Sequence, residues 1–152
     1  MGERGFSLIE LLIVVAIILI IAAIAIPDLL KSRMASAESA TVGNLRQANT
    51  CAFAHMTTIN PDRGYPNKDA ADWSQCVDPS LAGALAVTNG LKGGYKYTYT
   101  VTVVGGFNAV YTIAAVPQAI GSTGNRGFYT DQTGGIHFTT DGTAPTSASP
   151  TL

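Results

Sequence analysis

An apolar run near the amino terminus most constrains how this chain can fold. Residues 11–26 are all apolar, and Pro27 follows them. A helix needs about 20 apolar residues to span a bilayer, so the run predicts a membrane-spanning helix once residues 6–9 are added to it. Glu10 is the one ionisable residue among residues 6–27. Because a carboxylate costs roughly 2–3 kcal/mol or more inside the hydrocarbon layer, we expect Glu10 to have a function and a positively charged partner.

The residues around Glu10 resemble the N-terminal signature of type IV pilins and of the related pseudopilins of type II secretion. A short leader ends at Gly5, and Phe6-Ser7-Leu8-Ile9-Glu10 leads directly into the apolar run. The resemblance is close at the start of the chain and extends to the rest only in general layout. It implies that a prepilin peptidase in the membrane cleaves after Gly5 and methylates the new amine of Phe6. It also implies that Glu10 neutralises the Phe6 amine of a neighbouring subunit in a filament.

Two other interpretations of the apolar run compete with this one. Arg4 followed by the run and by Ala23-Ile24-Ala25 is also typical of a cleavable secretory signal. The run is equally compatible with a plain single-pass membrane anchor. Neither interpretation gives a role to Glu10, so the carboxylate favours the pilin-like interpretation.

The helix is expected to continue well beyond the apolar segment 6–27, as an amphipathic segment at 28–59. Residues at steps of three and four form one narrow apolar stripe in this second segment, while charged residues such as Glu38 are placed off it. Proline removes a helical hydrogen bond, so a bend is expected near Pro27. Members of the resembled family often have a glycine before this proline that helps the helix unwind in the fibre. Leu19 stands at the matching position here, and we expect less unwinding.

The remaining chain predicts one small α+β domain, with a roughly four-stranded antiparallel sheet packed on the C-terminal half of the helix. A connecting region at 60–94 is expected to contain a short helix, and the sheet is expected at 95–140. Alternating tyrosines and threonines after Tyr95 give the clearest hairpin pattern, turned at Gly105-Gly106. The tail at 141–152 is rich in Thr, Ser, Pro and Ala, and it is expected to be mobile or to lie along the surface.

Composition excludes some classes of function. Nine basic and ten acidic side chains give a net charge of −1, and without a basic cluster the chain shows no pattern for nucleic-acid binding. The two cysteines, Cys51 and Cys76, are compatible with one disulfide in an oxidising compartment, or with two buried free thiols. Family members often carry their disulfide in a C-terminal loop instead, so the adhesive roles of that loop are not transferred to this chain.

The sequence contains no defensible catalytic set, and we interpret the chain as a structural protein that is not an enzyme and needs no cofactor. Major pseudopilins bind calcium in a C-terminal loop, which makes Asp131 and Asp141 weak calcium candidates by resemblance. A calcium site needs six or more oxygen ligands, and the carboxylates here are too sparse to supply them, so no metal site is predicted.

The function implied by the resemblance is that of a type IV pilin, polymerised from the inner membrane by an assembly machinery with an ATPase. Such filaments serve adhesion, twitching motility or DNA uptake. A pseudopilin forming a short periplasmic piston is the nearest alternative. A membrane-tethered binding module, with the sheet domain as receptor, is a third. The expected location is the inner membrane before assembly and a surface pilus, or a periplasmic pseudopilus, afterwards.

Overall fold

The computed structural model describes residues 5–152, so the predicted leader 1–5 lies outside the described residues apart from Gly5. The chain divides into two compact units, residues 1–33 and residues 34–152. Helix α1 is followed by a π-helical turn at His55–Ile59, two short helices and five strands. The helices are α1 (Leu8–Ala54), α2 (Ala70–Trp73) and α3 (Pro79–Ala86), and the strands are β1 (Gly90–Lys92), β2 (Tyr95–Val104), β3 (Phe107–Pro117), β4 (Gly127–Asp131) and β5 (Ile136–Thr139).

The described part of the first unit is formed by the start of α1 and the three residues before it. Its apolar side chains are exposed around the whole circumference of the helix, as expected for a segment whose surroundings are lipid or other apolar helices. Pro27 lies inside α1, and the helix continues through it. This unit therefore has no core of its own among the residues described.

In the second unit, the last part of α1 buries one stripe of small and polar residues. Thr41, Leu45, Ala48 and Ala52 recur at steps of three and four and are almost completely buried, as the sequence pattern predicts. The pattern predicts Glu38 off this stripe, but the structure buries its side chain. The Glu38 side chain is buried because it accepts hydrogen bonds from the segment that precedes β4.

The five strands form one antiparallel sheet in the order β1-β2-β3-β4-β5, so each strand pairs with its neighbours in sequence. The predicted α+β class and antiparallel sheet are confirmed, with five strands where about four were expected. The additional strand, β1, lies in the region predicted as a connector and pairs through Gly90 with Tyr97. It is only three residues long, too short to show a two-residue alternation in the sequence.

The core of the second unit lies between the sheet and the helices. Tyr95, Tyr97 and Tyr99 all point inward from β2 and are fully buried. Trp73 of α2 packs edge-on against Tyr99, with 4.9 Å between ring centroids, and Tyr111 of β3 packs nearby. Burial of large aromatic rings is the main favourable term that such a core contributes to folding.

The segment after β5 runs back along the edge of that strand. The Phe138 amide donates to the Pro150 carbonyl, and the Leu152 amide donates to the Ile136 carbonyl, both at 2.9 Å. The end of the described chain therefore covers the edge of β5, which limits the number of unpaired backbone groups there.

Candidate functional site

Of the residues predicted to carry processing and assembly, Gly5 and Phe6 lie just before α1, Glu10 lies in its first turn, and Pro27 lies inside the helix. Phe6 is 83% exposed, and a Cβ built on Gly5 meets none of the described atoms within 4 Å. The peptide bond between Gly5 and Phe6 is thus sterically open in the described residues, which is what a protease requires of its substrate. Cleavage there would create a free amine four residues before Glu10.

Glu10 is positioned by the first turn of α1. Its Oε2 atom accepts a hydrogen bond from the Ser7 amide at 3.0 Å, and the Leu11 amide donates to the Ser7 carbonyl at 3.2 Å. The carboxylate itself remains exposed. A neighbouring group can therefore reach the Glu10 side chain directly. The sequence pattern Ser-x-x-Glu before an apolar run could have indicated this local contact.

The apolar part of α1 is long enough to cross a membrane. The helical stretch Leu8–Ile59 contains an 18-residue window with mean hydropathy 3.3, and no part of that window is buried. An exposed surface this apolar is unfavourable in water, since each buried Å² of apolar area is worth about 25 cal/mol. The segment needs lipid or other apolar helices around it. Just after Pro27, the exposed residues Asp28 and Lys31 form a loose ion pair at 3.9 Å.

The two cysteines meet in the second unit. The structure pairs Cys51 of α1 with Cys76, and their Cα atoms are 5.4 Å apart. The disulfide closes a loop of 25 residues and ties the segment after α2 to the helix. The Cys51 side chain is buried, whereas Cys76 is only partly buried.

A polar contact that the sequence analysis missed joins α1 to the segment just before β4. The Glu38 carboxylate accepts from the Asn125 and Arg126 amides at 2.8 and 3.2 Å, and from the Arg126 Nε atom at 2.7 Å. Burial alone would raise the pKa of Glu38, but the hydrogen bonds from Asn125 and Arg126 and the guanidinium charge lower the pKa below its ordinary value. Glu38 is therefore an anion held in a ready-made set of donors.

A second missed contact lies deeper in the same unit. The Asn49 side chain donates to the Thr130 hydroxyl at 2.8 Å and accepts from the Tyr111 hydroxyl at 3.0 Å. Burial raises the pKa of Tyr111, so its phenol stays protonated and can donate. This network fixes α1 against β3 and β4. It is a structural feature, since its groups are already satisfied by one another.

The weak calcium candidates do not come together. Asp131 accepts from the Thr133 amide and hydroxyl at 2.9 and 2.6 Å, while Asp141 accepts from Thr143 in the same way at 3.1 and 2.6 Å. Each aspartate thus stabilises its own turn. Among residues 5–152, no three His, Cys, Asp or Glu side chains are grouped as metal ligands would be.

His55 is of a residue type that often binds metals, but here its ring contacts other residues of the fold. Its ring is fully buried, and Nδ1 lies 2.7 Å from the Gly64 carbonyl oxygen. A carbonyl can only accept, so Nδ1 carries the proton. Nε2 lies 3.7 Å from the Asp72 carboxylate, and Asp72 in turn accepts from the Asn67 amide at 2.8 Å. These contacts link the end of α1 to the connector.

The N-terminal residues have the arrangement of a prepilin: an open Gly5–Phe6 bond is followed by Glu10 and by an apolar helix. An antiparallel sheet domain follows this helix. A family described as "Prokaryotic N-terminal methylation motif" matches residues 1–26. This match covers the leader, the predicted cleavage site and the apolar run, which are the residues on which the resemblance to pilins rests.

Two curated proteins are similar to the chain. One is the "Type IV major pilin protein PilA" of Myxococcus xanthus, 55% identical over an alignment of 74 positions, which covers 41% of this chain and 34% of that protein. The other is the "Type IV wide pilus major component PilA4" of Thermus thermophilus, 41% identical over 70 residues that make up 46% of this chain and 51% of that protein. The chain thus matches about a third and about half of the length of these relatives. No solved structure matches it significantly.

These comparisons confirm the resemblance to the type IV pilin family. The chain carries the prokaryotic N-terminal methylation motif and is similar over less than half of its length to type IV major pilins.

Proposed function

We propose that this chain is a type IV pilin subunit that polymerises through the apolar part of α1 after its leader has been removed. Cleavage after Gly5 by a prepilin peptidase would free the Phe6 amine, which the same class of enzyme would methylate. An assembly machinery with an ATPase would then extract the subunit from the inner membrane into a filament at the cell surface. The chain itself is a structural component and not an enzyme.

The observation that carries this proposal is Glu10, the one ionisable side chain in the apolar segment 6–27. An anchor or a secretory signal gains nothing from a carboxylate that costs roughly 2.5–3.5 kcal/mol in the hydrocarbon layer. A filament subunit does gain from it, because a neighbour's amine can neutralise the charge. Such a pair adds little stability but specifies register, since a misaligned neighbour leaves a charge unpaired.

The shape of the apolar surface supports polymerisation as well. Large apolar side chains are exposed on all sides of α1 from Leu8 to Leu30. In the membrane, lipid covers this surface. Outside the membrane only another apolar surface can do so, and equivalent helices of neighbouring subunits supply one of matching length. Pro27, at the end of the apolar run, is proposed to mark where the assembly segment gives way to the segment at 28–59.

The experiment combines mass spectrometry of the mature protein with electron microscopy of cells. A mature chain that begins with N-methylated Phe6 is expected, together with filaments that disappear when the gene is deleted. Cleavage near Ala25, or an intact Met1, would contradict the proposal and favour a secretory signal or a plain tether. Short periplasmic assemblies without surface fibres would instead indicate a pseudopilin.

A pair of variants tests the role of the charge itself. Glu10→Ala is expected to leave the subunit folded and inserted in the membrane while filaments are lost or become irregular. Asp28→Ala is the matched control, because Asp28 is an exposed acid on the same helix just outside the apolar run. A normal yield of filaments from the Glu10→Ala variant would refute the proposed charge pair.

A further inference from the structure

Glu10 already has a partner within its own chain. Its Oε2 atom accepts from the Ser7 amide at 3.0 Å. Ser7 directly precedes α1, and its carbonyl accepts the first helical hydrogen bond, from Leu11. Ser7 therefore occupies the N-cap position and Glu10 the third helical position, where a Glu side chain can reach back to the N-cap amide.

We infer that Ser7 is a positioning residue for Glu10: its backbone amide holds the carboxylate in one place in the unassembled subunit, where a neighbour's amine can then bind it. The later partner in this inference rests on the proposed function, whereas the contact with Ser7 is present in the single chain. The amides in the first turn of a helix have no intrahelical acceptor, and lipid offers no water to replace one. The helix dipole further favours a negative charge at this end.

The contact with the Ser7 amide determines where the Glu10 carboxylate lies before assembly begins. Without it, an unassembled subunit would present a bare carboxylate to lipid, with its side chain free to adopt several rotamers. With it, the carboxylate is bound to one donor and lies in one position beside the start of the helix. A fully charged amine makes a stronger hydrogen bond to a carboxylate than a neutral amide does. A neighbour's amine can therefore bind at the acceptor sites that the Ser7 amide leaves open, and it becomes the stronger of the two partners.

The direct test is amide hydrogen exchange at Ser7, measured by NMR on the full-length, uncleaved chain in detergent micelles. Three variants separate the possible contributions. Glu10→Ala removes the acceptor, Glu10→Gln keeps an acceptor oxygen without the charge, and Ser7→Ala removes the hydroxyl but keeps the backbone amide. The Leu11 amide, which bonds to the Ser7 carbonyl, reports whether the first helical turn itself has frayed.

We expect exchange at residue 7, corrected for its intrinsic rate, to accelerate roughly tenfold or more in Glu10→Ala, as for loss of a hydrogen bond to a charged acceptor. Exchange should change much less in Glu10→Gln and in Ser7→Ala. Unchanged exchange in Glu10→Ala would overturn the inference. So would an equal acceleration at Leu11, because that result would mean that the whole turn has opened.

Measuring filament assembly by the same variants distinguishes failure of this inference from failure of the proposed function. Glu10→Gln is expected to retain slow exchange at Ser7 and yet fail to assemble, since an amide cannot neutralise an amine. If Glu10→Gln assembles normally with slow exchange at Ser7, the charge pair between subunits is refuted and the contact with Ser7 stands. If exchange at Ser7 in Glu10→Ala equals that of the wild type while its filaments are lost, the contact with Ser7 is refuted and the charge pair between subunits stands.

Discussion

Glu38 gives the sharpest stability prediction, because three hydrogen bonds converge on one buried carboxylate. Two of its donors are the backbone amides of Asn125 and Arg126, and the third is the Arg126 side chain, which remains 35% exposed. A hydrogen bond to a charged group contributes about 1.5–3 kcal/mol, and each unsatisfied buried amide costs about 1–3 kcal/mol. Partial exposure of Arg126 reduces the loss, since water can solvate the guanidinium. We expect Glu38→Ala to lower the free energy of unfolding by about 3 kcal/mol.

Glu38→Gln is expected to lower the free energy of unfolding less, by about 1–2 kcal/mol, because its amide oxygen can still accept from the backbone. Unfolding of the full-length chain in detergent can be followed in urea through the fluorescence of Trp73. This residue is the only tryptophan and lies fully buried in the second unit. With a slope of about 1–3 kcal/mol per molar urea, a loss of 3 kcal/mol lowers the midpoint by roughly 1–3 M.

Arg46→Ala is the matched control, because Arg46 is an exposed charged residue on the same helix. Surface substitutions of this kind change the free energy of unfolding by no more than about 0.5 kcal/mol. The reasoning would be refuted if Glu38→Ala unfolded at the same urea concentration as Arg46→Ala. That result would mean that the fold does not depend on the segment held by Glu38.

The pH dependence has a definite sign. Hydrogen bonds from Asn125 and Arg126 more than offset the effect of burial and hold the pKa of Glu38 below its ordinary value of 4.5. A carboxyl with a lowered pKa in the folded state stabilises the fold above the unfolded-state pKa, and this contribution is lost as pH falls through the folded-state value. The wild type should therefore lose more stability than Glu38→Gln on acidification below about pH 4.5. Parallel stability curves for the two proteins would contradict this.

Two further predictions concern the same unit. Replacing Cys51 and Cys76 together with alanine should lower the free energy of unfolding by roughly 3 kcal/mol, since the disulfide closes a 25-residue loop, and reductant should then have no further effect on the urea midpoint. Gly64→Ala should cost at least about 2 kcal/mol, because Gly64 has φ +88° and an added Cβ would lie 2.5 Å from the Asn108 carbonyl oxygen. Gly105→Ala is the control, because Gly105 also has a positive φ but an added Cβ there would meet no atom within 4 Å. It should lower the free energy of unfolding clearly less in the same assay.

Local patterns predicted the parts of this molecule that depend on neighbouring residues in sequence. The apolar run gave the membrane-length helix, and alternation after Tyr95 gave the central hairpin, whose tyrosines are buried as expected. Strand β1 was missed because three residues cannot display a period. It pairs with β2 across the two-residue turn Gly93-Gly94, and this Gly-Gly pair is the local hairpin signal that could have indicated the strand.

The polar contacts of the core were missed for a different physical reason. Charged and amide side chains are normally exposed, so their position on a helix carries no signal that they will be buried. Glu38 finds its donors 87 and 88 residues away in sequence, and Asn49 finds Thr130 at a separation of 81. Such pairs exist only once the strands are in place. The short-range contact between Ser7 and Glu10, by contrast, could have been predicted from the Ser-x-x-Glu spacing.

The two units differ in how their polar side chains are satisfied. In residues 34–152, Glu38, Asn49 and His55 all find partners inside the same chain, and the fold is complete without a neighbour for them. In the apolar segment, Glu10 has one amide as a partner among residues 5–152, and the large apolar side chains around it are exposed. One amide cannot satisfy the four acceptor sites of a carboxylate. Within the described residues, the N-terminal segment therefore leaves both apolar surface and acceptor sites of Glu10 unsatisfied, and identical subunits that each supply an apolar helix and a free amine would satisfy both at once.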